Sequence, residues 1–292
     1  MKKIFSPRLM LVLSMLCFGT IGYFVRNIPL PSGEIALYRA VLAAVLIGFF
    51  MLFTKKRIPF KRLKKELLLL FLSGAVMGVN WILLFQAYNY TTVSVATLCY
   101  YFAPVIVAAV SPFLFKEKAG IKQYICFFMA TAGIVLITVN ENSFDGEKQI
   151  YGILFGLSAA VFYATVVLIN KYIKKVDGIS RTFLQFVSAV IVLAPYVLLT
   201  DGINLSALDK KGWISLLIVG LVHTGITYCL YFSSIKSLNG QTAAVLSYID
   251  PLVAVLVSTL LLGEDMGVMQ IIGGALILVF TLLNEIKLKK EP

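Results

Sequence analysis

The chain has 292 residues, of which 60% are hydrophobic and only 14% are charged, and its mean hydropathy is +0.92. A soluble domain carries about 25% charged residues, so this chain has too few polar side chains to cover a soluble globule. We therefore expect the lipid bilayer to be its solvent. The net charge of +12 does not indicate a nucleic-acid partner, because the basic residues lie in short loops between apolar runs.

Ten apolar segments are long enough to be membrane-crossing helices, which need about 20 residues each. They cover residues 9–25, 35–54, 67–88, 93–115, 121–139, 150–170, 180–200, 212–235, 240–262 and 267–286. Lys2, Lys3 and Arg8 precede the first run as they would in a signal peptide. No small-residue cleavage site follows, so we expect the first run to be kept as a membrane helix.

The loops between these spans alternate in charge. One side of the membrane receives 21 of the 26 basic residues, and the opposite loops hold acidic residues and few lysines. The positive-inside rule therefore predicts that both termini lie in the cytoplasm.

A short sequence motif occurs twice, 147 residues apart. The shared residues are Tyr101, Pro104, Glu117 and Gln123 in the first copy and Tyr248, Pro251, Glu264 and Gln270 in the second. Each copy reads as apolar helix, proline, apolar helix, acidic turn, glutamine and apolar helix. Internal repetition of this kind is typical of membrane transporters.

The repeat divides the chain into two halves. We predict a first repeat at 1–139, a short external linker at 140–149 and a second repeat at 150–292. Because each half holds five helices, an odd number, the second half enters the membrane from the opposite side. The predicted fold is an all-α membrane protein of ten helices in two inverted repeats. Such folds alternate between inward-open and outward-open states.

No enzyme or metal signature accompanies the helices. The sequence has no phosphate loop, no nucleophile elbow and no paired His/Cys spacing, and its four cysteines are scattered singly in apolar runs. We predict that it is not an enzyme and has no cofactor or metal. Without a nucleotide-binding domain, any pumping would draw on an ion gradient or on substrate exchange.

The chain resembles the drug/metabolite transporter superfamily, in its ten-helix branch with two EamA-type domains. The matching stretches are Phe18-Gly19-Thr20 ending at Arg26, Tyr163-Ala164-Thr165 ending at Lys171, Arg39 with its small apolar neighbours, and the runs ATLCYYFAPVIVAAVSPFLFKE and TAAVLSYIDPLVAVLVSTLLLGE. The resemblance covers nearly the whole chain. It implies export of amino acids, drugs or metabolites, or in some members uptake of small cations such as choline. Where the family often has a tryptophan, this chain has Phe18.

Asp250 is the sharpest single candidate for a functional site. It lies about ten residues into the ninth span, near the bilayer midplane, where an aspartate costs roughly 2.5–3.5 kcal/mol to insert. Intramembrane carboxylates usually face a cavity and are functional. Pro251 leaves the carbonyl of Ser247 without its helical hydrogen bond. We predict a substrate or proton site here, the alternative being a structural partner for Arg39, His223 or a tyrosine hydroxyl.

Other deep polar residues carry two interpretations each. His223, the only histidine, is a candidate proton relay or a helix-packing residue. Asn80 would hold a polar group of the substrate or join helices, and Trp81 would be a wall of the site or a packing residue. Arg39 would anchor a substrate carboxylate or form a gating ion pair near Glu34, unless it extends to water.

Aromatic residues complete the predicted site. The candidates for substrate contact are Tyr101, Tyr163, Tyr228 and Tyr248. With a nearby carboxylate, such rings suit a cationic ligand, and they could equally stack against an aromatic one. Pro104 and Pro251, at matched midplane positions, point to a central site. Glu117 and Glu264 end matched helices, and we favour a structural role over gating for them.

The sequence thus predicts a secondary transporter of the bacterial cytoplasmic membrane. The expected activity is proton-coupled export of amino acids or related small metabolites by alternating access, through a cavity lined by helices 1, 3, 4, 6, 8 and 9. Transport of an organic cation such as choline or a polyamine is the alternative. A lipid-linked flippase and a non-transporting membrane sensor are rivals of other classes. The expected partners are a small-molecule substrate and the bilayer, with no nucleic acid, and the fold can form as a monomer.

Overall fold

A computed structural model describes residues 6–56, 58, 66–115, 120–138, 146–235, 237–238 and 240–285. These residues form apolar helices and, within the described ranges, no strand. Seven helices are long and apolar enough to cross a bilayer, and three shorter apolar helices accompany them. The predicted all-α membrane fold is confirmed.

The helices correspond one to one to the predicted spans. They are α1 (Pro7–Gly19, then Ile21–Arg26), α2 (Ser32–Phe53), α3 (Leu67–Tyr90), α4 (Val93–Tyr100, then Ala103–Phe115), α5 (Ile121–Thr138), α6 (Gly146–Tyr172), α7 (Gly178–Leu199), α8 (Lys210–Leu217, Ile218–Ile226 and Thr227–Ile235), α9 (Gly240–Ser247, then Ile249–Leu262) and α10 (Val268–Glu285). Four of them, α1, α4, α8 and α9, change geometry part-way, which the hydropathy pattern does not indicate.

Polar caps explain why several helices begin before the apolar run does. Ser6 accepts a hydrogen bond from the Leu9 amide at the start of α1, and Asp209 caps α8 in the same way through the Gly212 amide. A capping side chain satisfies one of the amides that a helix start leaves free. Hydropathy alone does not register these residues, since they are polar.

The packing of the helices follows the inverted repeat. Helix α6 packs against α3 and α4, and its counterpart α1 packs against α8 and α9. Helix α7 packs against α3 as α2 packs against α8, while α2 pairs with α7 and α5 pairs with α10. These contacts of one repeat thus have their equivalents in the other. Successive helices run in opposite directions, so the bundle has an Arg26 end, where α1 ends, and a Lys171 end, where α6 ends.

Polar contacts join the repeats at both ends of the bundle. At the Arg26 end, the fully buried Glu34 carboxylate accepts bonds from the Asn204 amide (3.0 Å) and side chain (2.6 Å). At the Lys171 end, Lys56 forms an ion pair with Asp177. Burial alone would raise the pKa of Asp177, but hydrogen bonds from Lys56 and Ser180 outweigh that effect and lower it.

Helices α5 and α10 cross with their backbones in contact. A Cβ atom on Gly133 would lie 2.6 Å from the carbonyl oxygen of Gly273, and one on Gly273 would lie 2.5 Å from that of Gly133. The partner atoms belong to the backbone and cannot rotate away. Only glycine therefore permits this crossing, and small residues of this kind are what membrane helices use to pack closely.

We expect Gly273→Val to destabilise the fold by about 3 kcal/mol, the upper part of the range for an overpacked core. Thermal melting in detergent, followed by size-exclusion chromatography, measures the effect. The matched control is Gly120→Ala, because no described residue lies within 4 Å of a Cβ atom at Gly120. Equal melting temperatures for the two variants would contradict the close crossing.

Candidate substrate-binding site

A cavity of about 290 Å³ lies between the two repeats. Its principal lining residues are Phe18, Arg39, Trp81, Tyr88, Thr97, Tyr100, Tyr101, Pro104, Tyr163, Tyr228, Tyr231, Ser247, Tyr248 and Asp250. Helices α1, α3, α4, α6, α8 and α9 contribute, as the sequence analysis predicts. Helix α2 contributes as well, through Arg39.

The structure brings most of the predicted site residues to this one cavity. Those that line it are Arg39, Trp81, Tyr101, Pro104, Tyr163, Tyr228, Tyr248 and Asp250. Asn80, His223, Pro251 and Glu264 lie elsewhere, and Glu117 falls outside the described residues. Sequence analysis missed Tyr88, Tyr231 and Thr97, which only their position around the cavity distinguishes from packing residues.

The two matched prolines explain why helices α4 and α9 are broken at the cavity. Helix α4 is interrupted at Tyr101 and α9 at Tyr248, each three residues before its proline. A proline cannot donate the helical hydrogen bond to the fourth residue before it. Irregular backbone at membrane depth is tolerated where it lines a cavity, and both breaks do so.

The Asp250 carboxylate is hydrogen-bonded to a side chain of the first repeat. The Tyr101 hydroxyl donates to its carboxylate at 2.5 Å and also lies 3.5 Å from the Ser247 carbonyl, the one that Pro251 leaves free. No basic side chain among the described residues lies within 4 Å of Asp250. Of the structural partners considered for this carboxylate, the one present is a tyrosine hydroxyl. Among the described residues, Asp250 is also the only acidic one that lines the cavity.

Backbone contact holds α1 against Asp250. A Cβ atom on Gly19 would lie 2.6 Å from the Asp250 carbonyl oxygen, so the two helices touch beside the break in α1. That break falls at Thr20, whose hydroxyl donates to the Cys17 carbonyl at 2.8 Å. The Asp250 carboxylate is therefore positioned by elements of both repeats.

Arg39 is buried and does not extend to water. Only 4% of its surface is exposed, and its guanidinium carbon lies 4.4 Å from the centre of the Trp81 ring. Its Nε donates to the Thr224 hydroxyl at 2.7 Å. Neither terminal nitrogen is hydrogen-bonded to another described residue, and Glu34 binds Asn204 instead. Arg39 thus keeps two donor groups for a ligand in the cavity.

Thr224, the hydrogen-bond partner of Arg39, lies in a wide helical turn of α8. Ile218–Ile226 is a π-helix, a geometry that is rare and frequent at functional sites. Thr224 donates to the carbonyl of Val219, five residues earlier, at 2.7 Å, while also accepting from Arg39. The sequence carries no signal for this wide turn.

His223 binds the break in α1 and does not line the cavity. It is 2% exposed, with Nε2 2.8 Å from the Thr20 hydroxyl and Nδ1 3.2 Å from the Ile218 carbonyl. Both ring nitrogens are therefore engaged by protein groups. This arrangement favours the helix-packing interpretation of His223, and the proton relay stays a prediction.

We expect His223→Gln to lower the free energy of unfolding by about 1 kcal/mol, the net contribution of one lost hydrogen bond. The pH dependence of transport should stay unchanged, because His223 does not line the cavity and the titratable groups of the cavity would all remain. Transport measured in liposomes across a pH series checks this. A displaced pH profile would reinstate the relay.

Asn80 and Trp81 join α3 to neighbouring helices. The Asn80 amide donates to the Ala159 carbonyl on α6 at 2.6 Å. Trp81 packs against Phe186 on α7, with ring centres 5.4 Å apart, while its face receives Arg39. The position of Asn80 fits a helix-joining role, whereas Trp81 is at once a packing residue and a wall of the cavity.

Paired aromatic rings form the rest of the wall. Tyr100 lies 5.2 Å from Tyr163, Tyr101 lies 6.3 Å from Tyr248, and Phe18 lies 5.2 Å from Tyr228, measured between ring centres. Rings at such spacings support one another and offer their faces to a cation. Phe18 thus forms part of this wall.

Comparison with known proteins identifies the family. The model of the EamA-like transporter family matches residues 6–139 and 150–285. The chain belongs to this family. The resemblance to the drug/metabolite transporters is therefore confirmed, and the chain is an EamA-type, multi-pass membrane transporter.

Individual relatives agree with this assignment. The uncharacterized transporter YxxF of Bacillus subtilis is 30% identical over 271 residues, covering 90% of this chain and 86% of the relative. An uncharacterized transporter of Archaeoglobus fulgidus is 27% identical and covers 94% of both chains. A crystal structure that is 15% identical superposes with a TM-score of 0.64 over 95% of each chain, which shows a shared fold.

Proposed function

We propose that this EamA-type transporter exports amino acids or closely related zwitterions in exchange for protons. The observation that carries the proposal is that one cationic and one anionic side chain, Arg39 and Asp250, line the same aromatic cavity without pairing with each other. The cavity volume of about 290 Å³ is at the small end of the range for small-molecule sites. A zwitterion of that size would neutralise both charges at once.

Each end of the substrate has a protein group suited to it. The terminal nitrogens of Arg39 would bind the carboxylate, since the planar fork of a guanidinium matches carboxylate geometry. The Asp250 carboxylate would bind the ammonium group of the substrate. The Tyr101 hydroxyl would hold the Asp250 carboxylate in place. The tyrosine rings would cover the remainder of the solute.

Competition at Asp250 would couple the substrate to protons. A buried carboxylate that is charged and unpaired is costly, so Asp250 must hold either a proton or a substrate ammonium group. Binding of one displaces the other, which is the requirement for exchange. Because protons enter a bacterial cell down their gradient, the substrate would leave.

An organic cation is the second candidate substrate. Asp250 together with the tyrosine faces would also bind a quaternary amine or a polyamine. Arg39 argues against it, because a second cation in the same cavity would be repelled. The two candidates therefore differ in whether Arg39 helps or hinders binding.

A competition experiment separates them. The purified protein is placed in liposomes, and counterflow of a labelled amino-acid mixture is measured against matched competitors: each amino acid, the amine lacking its carboxylate, and the acid lacking its ammonium group. We expect the intact amino acid to compete at least about tenfold better than either truncated form. An amine that competes as well as or better than its amino acid would overturn the proposal in favour of the cation.

The proposed location follows from the positive-inside pattern of the loops. We place the protein in the bacterial cytoplasmic membrane with both termini, and therefore the Lys171 end, in the cytoplasm. The repeats would extend over residues 1–139 and 150–292, joined by an external linker.

A further inference from the structure

Glu264 binds parts of both repeats at the Arg26 end of the bundle. Its carboxylate accepts a bond from the Arg26 guanidinium at 2.8 Å and another from the Val93 amide at 2.8 Å. The Ser258 hydroxyl donates to the same carboxylate. We call this set of Arg26, Val93, Ser258 and Glu264 the Glu264 latch. It fastens α1 and α4 of the first repeat to α9 of the second.

The latch covers the cavity directly. Three of its members lie four residues from a cavity-lining residue on the same helix, which is about one turn, or about 6 Å. The pairs are Gly22 with Arg26 on α1, Thr97 with Val93 on α4, and Ala254 with Ser258 on α9. Residues four apart share a helix face, so the layer of latch residues lies immediately beyond the cavity wall.

The latch is built from contacts that can be broken. The Arg26 side chain is 27% exposed and that of Glu264 is 11% exposed, so water reaches the ion pair from the membrane surface. Separating the two groups would transfer them to water and not strand a charge in the interior. A relative movement of the repeats that opens the Arg26 end must break this ion pair, because its two partners belong to different repeats.

The opposite end of the bundle holds an equivalent contact. Ser111 precedes Ser258 by 147 residues, and Lys171 follows Thr165 in α6 as Arg26 follows Thr20 in α1. In the structure, the Lys171 ammonium group donates to the Ser111 hydroxyl at 3.2 Å. The equivalent helices are therefore joined at both ends, through the Glu264 carboxylate between Arg26 and Ser258 at one end and directly between Lys171 and Ser111 at the other.

We propose that the Glu264 latch is the barrier that closes the cavity at the Arg26 end. The Lys171–Ser111 contact is the corresponding barrier at the Lys171 end. One barrier opens as the other closes during the transport cycle. This replaces the structural role that the sequence favoured for Glu264. The inference rests on the fold and on family membership, and it is independent of which substrate is carried.

Thiol labelling tests the latch without any substrate. Ser247→Cys places a reporter on the cavity wall in a chain whose four native cysteines are replaced by alanine. A membrane-impermeant thiol reagent is added from the side at which Asp201→Cys, in the exposed loop at the Arg26 end, reacts at once. We expect Arg26→Ala to raise the labelling rate of the reporter about tenfold, the factor for losing a charged hydrogen bond, and Glu264→Gln to raise it less.

Two control variants make the result decisive. Asp177→Ala breaks an ion pair between the repeats at the opposite end, and should not raise labelling from the Arg26 side. Lys171→Ala should slow labelling from that side and raise it from the other. An unchanged rate in both Arg26→Ala and Glu264→Gln, with normal elution in size-exclusion chromatography, would overturn the proposal. So would an equal rise in all the variants, since that would reflect general loosening.

Discussion

Asp250→Asn is expected to reduce gradient-driven transport by at least about 30-fold, the factor that corresponds to a lost charged contact of about 2 kcal/mol. Asparagine keeps the size of the side chain and can still accept from Tyr101, so the fold should persist. It cannot exchange a proton for an ammonium group. Uptake of labelled substrate into liposomes with an imposed pH gradient measures the effect, and the imposed gradient should no longer concentrate substrate.

Tyr101→Phe is the matched control for Asp250. It removes the hydroxyl that donates to the carboxylate at 2.5 Å but leaves the carboxylate itself. We expect it to weaken transport by about three- to tenfold while proton coupling persists. If the asparagine variant transported normally, Asp250 would be a structural partner of Tyr101 and not the coupling group.

Arg39→Gln is expected to raise the KM for amino acids by about 30-fold, because the two unpaired guanidinium donors are the proposed carboxylate contact. The inhibition constants of the corresponding amines should change by less than about threefold in this variant, or should fall. The inhibition constants of each amino acid and its amine, measured on one preparation, give the result as a ratio. That ratio cancels any loss of folded protein.

Arg39→Lys is the control for charge without geometry. Lysine keeps the positive charge but not the planar fork, so we expect an intermediate KM. If Arg39→Gln weakened amino acids and amines equally, Arg39 would be a helix-joining residue that binds Thr224 and Trp81, and carboxylate recognition would be excluded.

The fold follows from the sequence because the bilayer leaves few alternatives. A chain in lipid must satisfy its backbone internally, so long apolar runs become helices, and the ten predicted spans reappear in the structure. The repeated proline positions also indicate where the central site lies, and the reason is physical. A proline removes a helical hydrogen bond wherever it occurs, and the cavity is where a break is tolerated.

The details of the site depend on contacts that no sequence pattern encodes. Tyr101 and Asp250 are 149 residues apart, and only the packing of α4 against α9 brings them together. No proline marks the π-helix that contains Thr224 and His223. No proline marks the break of α1 at Thr20 either. By sequence His223 is therefore a candidate relay, whereas in the structure it joins two irregular helices.

Proton movement on addition of substrate is the measurement that tests the proposed function most directly. The wild-type protein is reconstituted in liposomes containing a pH-sensitive dye, and amino acids, quaternary amines and polyamines are added in turn. The account predicts that amino acids drive proton movement, that this is lost in Asp250→Asn, and that the amines drive little. Proton movement driven by the amines alone, or none with any compound in a folded protein, would contradict proton-coupled amino-acid exchange.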